Sequence, residues 1–131
     1  MNAETDLARM LATLDAKREP GVFVFASVPD FATAAALPAR AIVVEREAVT
    51  VVLRREDATA HGLFFDFEAA WLTLTVHSAL GSIGLTAAVS GALSDAGIAC
   101  NVLAGAAHDH LLVPEHQVDP ALAALARLRN A

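Results

Sequence analysis

Apolar and polar positions alternate with two different periods along the chain, and the period changes mark its elements. Near the N-terminus, "TDLARMLATLDAK" puts Leu7, Met10, Leu11 and Leu14 at helical spacing, with Thr5 or Asp6 placed to cap a helix. Pro20-Gly21 is expected to end that segment, and "GVFVFASV" reads as a strand rich in β-formers. "DFATAAAL", between Pro29 and Pro38, is a short helix or a loop. "AIVVERE" and "AVTVVLRRE" predict two strands joined by a hairpin around Glu45 to Ala48. "EDATAHG" predicts one or two helical turns ending at Gly62.

The second half repeats this order more clearly. In "AWLTLTVH", Trp71, Thr73 and Thr75 face one way and Leu72, Leu74 and Val76 the other. The next helix carries Leu85, Val89, Ala92, Leu93 and Ala96 on one face, and Gly97 suits the residue just past its C-terminus. "IACNVLAG" and "HDHLLVP" are predicted strands, the second closed by Pro114. "DPALAALARLRN" predicts a final helix with Asp119 as N-cap and Pro120 in the first helical position. Each half is one strand short of a complete βαββαβ unit. Either a short strand such as "FFDF" fills the gap, or the halves complete each other. No linker rich in Gly, Pro or Ser separates them, so they are expected to be intertwined.

Composition narrows the functional classes. The 131 residues suffice for one ordinary domain or two very small ones. Hydrophobic residues make up 56%, and the mean hydropathy is +0.50, which predicts strands buried on both faces or a surface for a partner. No apolar run approaches the roughly 18 to 20 residues of a membrane helix, so no membrane partner is expected. The opening "MNAETDLARM" is acidic and interrupted, unlike a signal peptide. One cysteine, Cys100, cannot form an internal disulfide, which fits a reducing cytoplasm. A net charge of −6 without a Lys/Arg stripe argues against nucleic acid. There is no nucleophile–base spacing, phosphate loop or zinc-type cluster, so neither catalysis nor a cofactor is expected.

Two places carry candidate chemistry. Gly81 and Gly84 allow close backbone approach at the turn before the helix, and the helix end offers unpaired N–H groups to a carboxylate. Ser78, Thr86 and the backbone near Ile83 and Leu85 supplement it, and Asn101, opening the next strand, can both donate and accept. The alternative is that the glycines only make a tight turn and Asn101 satisfies buried backbone. In "HDH", His108 and His110 share one face of a strand and Asp109 takes the other. The pair could hold a transition metal with His77 nearby, hydrogen-bond across the sheet, or line the ligand pocket. Cys100 and Trp71 are expected to be packing residues.

The stretch "LTVHSALGSIGLTAAVSGALSDAGIACNVLAGAAHDHLLVP" resembles the ACT-domain superfamily. More narrowly, "VHSAL…GLTAAVS…L…AGI.CNV…HDH.LVP" is similar to the small tandem ACT proteins of bacteria. The close match covers Trp71 to about Leu128, and the first half matches only in element order. The resemblance implies an α+β, ferredoxin-like βαββαβ fold: two ACT-like halves, residues 1–64 with the leading helix and 65–131, with antiparallel sheets and helices on one face. It also implies a regulatory module that binds a small molecule, such as an amino acid, at Ser78, Gly81, Ile83, Gly84, Leu85, Thr86, Asn101, His108 and His110. With no room for a catalytic domain, such a module is expected to act on a partner enzyme in trans. A homodimer is expected, because edge strands need covering and so much apolar sequence is hard to hide. A metal protein or enzyme using His108 and His110, or a structural dimer with a vestigial site, are the alternatives.

Overall fold

The computed structural model describes residues 5–130. The chain divides into two compact units, one of residues 1–20 with 70–131 and one of residues 21–69. Both are antiparallel β-sheet with helices.

The 21–69 unit contains most of β1 (Ala16–Val28), then α2 (Phe31–Ala35), β2 (Ala41–Val44), β3 (Val49–Arg54) and α3 (Arg55–Ala60). Its strand order is β2-β3-β1, with Val24 opposite Leu53 and Val43 opposite Thr50. The predicted hairpin closes by the Glu45 N–H donating to the Ala48 carbonyl at 3.0 Å. "DFATAAAL" is a helix because Asp30 caps it: its carboxylate accepts from the Thr33 N–H at 2.8 Å and from the Thr33 hydroxyl at 2.7 Å. Those two bonds hold the Asp30 carboxyl below the ordinary carboxylate range. Val24, Ala26, Val28, Ala34, Val49, Val51, Leu53 and Ala58 form this unit's core. "FFDF" is not a strand.

The other unit begins with α1 (Leu7–Ala12), capped by the Asp6 carboxylate accepting from the Arg9 N–H. It continues with the start of β1, then β4 (Glu68–Leu74), α4 (Leu85–Asp95), β5 (Asn101–Ala104), β6 (Asp109–Pro114) and α5 (Val118–Arg127). Its strand order is β1-β4-β6-β5. The strand that the second half lacks is therefore supplied by the N-terminal twenty residues. Met10 and Leu14 pack with Leu72, Leu74, Leu85, Val89, Leu93, Leu111, Val113 and Leu125 in one core. The helices cover the face carrying Leu72, Leu74, Leu111 and Val113, so Trp71, Thr73, His110 and Leu112 point to the other face.

Two boundaries differ from the sequence expectation. The first helix stops at Ala12, well before Pro20-Gly21, and the strand that follows begins at Ala16. β1 runs through Pro20-Gly21, with Gly21 at φ +101, and the boundary between the units falls there. A proline and a positive-φ glycine together make a local break in strand regularity without ending the strand. At the C-terminal end, a short 3-10 turn (Glu115–Gln117) leads into α5, so Gln117 is the N-cap and Pro120 is the third helical residue. Proline is tolerated there because the first four helical N–H groups have no intrahelical acceptor in any case.

Candidate functional site

The turn between β4 and α4 begins at Thr75, whose N–H donates to the Asp15 carbonyl at 2.9 Å, and ends at Gly84, the N-cap of α4. Gly84 sits at φ +107, a conformation that side chains disfavour, and a Cβ there would lie 2.8 Å from Cδ2 of Leu7. The glycine is thus required by the backbone conformation, while the Leu7 methyl, at the end of a flexible side chain, could shift to admit a Cβ. Gly81 is different: its φ is not positive, and a Cβ there would meet open space. The first helical bond of α4 runs from the Ala88 N–H to the Gly84 carbonyl, and no side chain caps the helix. The N–H groups of its first turn are therefore left to solvent or to a ligand.

The first residues of α4 border a cavity of about 160 Å³ lined by Ser78, Ala79, Leu80, Ser82, Gly84, Leu85, Thr86, Ala104 and Asp109. Ser82 donates to the Ala79 carbonyl at 2.7 Å, which shapes the turn and leaves its oxygen able to accept. Ser78 is only 8% exposed, and its hydroxyl has no hydrogen-bond partner among the described residues. Every fully enclosed side-chain polar atom among those residues has a partner, so the Ser78 oxygen touches accessible space, and the cavity is what it lines. Asp109 is the one charged side chain of the lining, and among the described residues it makes neither an ion pair nor a hydrogen bond.

Of the residues singled out in the sequence, Ser78, Gly84, Leu85 and Thr86 come together on this cavity. Gly81 and Ile83 belong to the same turn outside the lining, and the Ile83 side chain is 87% exposed. Asn101 opens β5 as expected, opposite Leu112, but does not line the cavity. Val102 packs toward the helices, so alternation sends Asn101 and Leu103 to the other face and returns Ala104 to the cavity side. The same alternation places Asp109 on the face of β6 opposite His110. Asp109 pairs with Ala104 across the β5–β6 hairpin, and both reach the cavity. The signal was the run Asp109, Leu111, Val113 on the core side of a strand.

The histidines have structural surroundings on the far face and at the strand end. Trp71 Nε1–H donates to Thr73 Oγ1 at 3.2 Å and to His110 Nδ1 at 3.3 Å, and Thr73 Oγ1 lies 3.0 Å from that nitrogen. The indole nitrogen can only donate, so in its contact with His110 the Nδ1 atom is the acceptor. The Trp71 and His110 rings are 5.4 Å apart. His108 Nδ1 lies 3.3 Å from the Val76 carbonyl, close enough to donate to it, and its ring is 6.0 Å from that of His77. Among the described residues no group of three His, Cys, Asp or Glu side chains is placed to hold a metal ion. Half-burial pushes the Cys100 thiol up from its ordinary value, as in a packing cysteine. No helix among the described residues is long and apolar enough to cross a membrane.

Two ACT-domain family models match the chain in tandem, over residues 2–70 and 66–127. A solved protein of unknown function from Vibrio cholerae, described as a possible transport protein, is 35% identical, with 94% of this chain and 95% of that one aligned and a TM-score of 0.86. The regulatory subunit of aspartate kinase from Thermus flavus shares the fold at 11% identity, over 88% of this chain and 95% of that one, with a TM-score of 0.64. Aspartate kinase from Clostridium acetobutylicum shares it at 9% identity and a TM-score of 0.65, where 89% of this chain matches 34% of the enzyme. No curated protein matches the chain. The sheet and helix arrangement, the two family models end to end and the Vibrio relative agree, and the chain belongs to the ACT-domain family.

Proposed function

We propose that this chain is a non-catalytic regulatory module that binds a small amino acid in the cavity at the N-terminus of α4. The observation that carries the reading is Ser78, a mostly buried residue whose hydroxyl has no partner among the described residues and opens onto a cavity that also receives the uncapped first turn of a helix. Helix N-termini favour anions, so the ligand's carboxylate is assigned to the N–H groups of Leu85, Thr86 and Ala87. The cavity is smaller than the about 300–1,000 Å³ typical of drug-sized ligands, which limits the ligand to a few heavy atoms. Support also comes from the regulatory subunit of aspartate kinase, which shares the fold. In this reading residues 1–64 and 65–131 are the two ACT-like halves in sequence, and the protein works in the cytoplasm as a homodimer, acting on a partner enzyme in trans.

A thermal-shift screen against the twenty amino acids tests the binding claim, because a ligand of the native state raises the midpoint by mass action. At least one small amino acid is expected to raise it. Ser78→Ala is expected to reduce that shift while keeping its own unliganded midpoint, since no protein hydrogen bond is lost. No shift with any amino acid at millimolar concentration would remove the reading.

A further inference from the structure

We infer that Asp109 selects the ligand by its ammonium group, so that the cavity takes a zwitterion and rejects a simple carboxylate. The inference rests on the cavity being an amino-acid site, and adds which residue decides the ligand class.

Two features of the cavity pull in opposite directions. The first turn of α4 presents N–H groups and the positive end of the helix dipole. Asp109 presents a carboxylate, which can only accept hydrogen bonds. The simplest way to reconcile them would be for Asp109 to cap the helix itself. It does not, because it makes no hydrogen bond among the described residues and α4 has no side-chain cap. Nor does a cation of the lining neutralise it, since Ser78, Ala79, Leu80, Ser82, Gly84, Leu85, Thr86 and Ala104 are all uncharged. An incoming ammonium would give this carboxylate the charge-assisted hydrogen bond that no side chain of the lining supplies. An incoming anion with no positive group adds like-charge repulsion instead. A molecule that satisfies both ends of so small a space carries a carboxylate and an ammonium a few bonds apart. Ser78 stands in the same wall and can bond either group, so it contributes affinity without choosing between charges.

The hairpin makes this arrangement stiff. Ala104 faces Asp109 in register, and the Gly105 N–H donates to the His108 carbonyl at 2.9 Å to close the turn between them. Asp109 is thus held on regular strand, followed by buried Leu111 and Val113, and is not on a loose loop.

The test is calorimetry on the full chain with three matched pairs: glycine and glycolate, alanine and lactate, serine and glycerate. Each pair differs by an ammonium against a hydroxyl. The amino acid of the best-binding pair is expected to bind at least about tenfold tighter than its hydroxy acid, the scale of one charge-assisted hydrogen bond. Asp109→Asn is expected to bring that ratio close to one, and Ser78→Ala to weaken both members alike. If hydroxy acids bind wild type as well as amino acids do, the role of Asp109 is overturned while a small-carboxylate site stands. If the ratio is large but survives Asp109→Asn, another group reads the ammonium and the inference fails. If none of the six binds, the amino-acid reading of the cavity falls and takes this inference with it.

Discussion

Gly81 and Gly84 look equivalent as letters three residues apart, and the backbone separates them. Gly84 holds φ +107 beside Leu7, and Gly81 has ordinary φ with open space where a side chain would go. Gly84→Ala is expected to cost roughly 1–2 kcal/mol from the left-handed conformation alone, and more if Leu7 cannot move. Gly81→Ala is expected to stay within about 0.5 kcal/mol of wild type, as at an ordinary surface position. Urea unfolding of the two variants checks the pair, and equal losses would contradict it. The turn's glycines were legible in the sequence as a site feature, but not which of them the backbone needs, because φ is a property of the folded turn. Asn101 and Asp109 show the same limit. Both stand on strands that the sequence located, and the one facing the cavity is the one whose parity along the strand matches the core residues.

At the scale of elements, α1 is the case where packing overrides local signals. Six residues are too few for a stable helix in water, so α1 (Leu7–Ala12) depends on burying Met10 against the core of the unit formed with residues 70–131. Met10 is fully buried. Met10→Ala is expected to destabilise that unit by about 2–5 kcal/mol, the range for large-to-small changes in a core. Denaturant unfolding followed by the fluorescence of Trp71, which is buried in the same unit, measures it. A change under about 0.5 kcal/mol, typical of a surface position, would show that α1 is an ornament on that core. The periodicity of "LARML" predicted the helix and its buried side. That this helix belongs with the second half was invisible, since a stripe of apolar residues does not name its partner.

At the scale of the whole molecule, the proposed homodimer gives a direct outcome. β2 is the end strand of the 21–69 unit, and its Val43 and Val44 are exposed, an edge that proteins usually cover or charge. Sedimentation at micromolar concentration is expected to give one species of about twice 13.6 kDa. A monomer at every concentration would end the proposal. The sequence by itself determined the element types, the antiparallel α+β class and the second-half motif, because hydrophobic period, caps and turn residues are local properties. It also placed Ser78, Gly84, Leu85 and Thr86 in one turn, because they are neighbours in the chain. Tertiary structure decided the rest. It gave residues 1–20 to the unit of residues 70–131, carried β1 through Pro20-Gly21, tied His110 to Trp71 and Thr73, and brought Asp109 to the mouth of α4. Each of these joins residues far apart in sequence, and which distant faces meet is set by how strands pair and which sides they bury together.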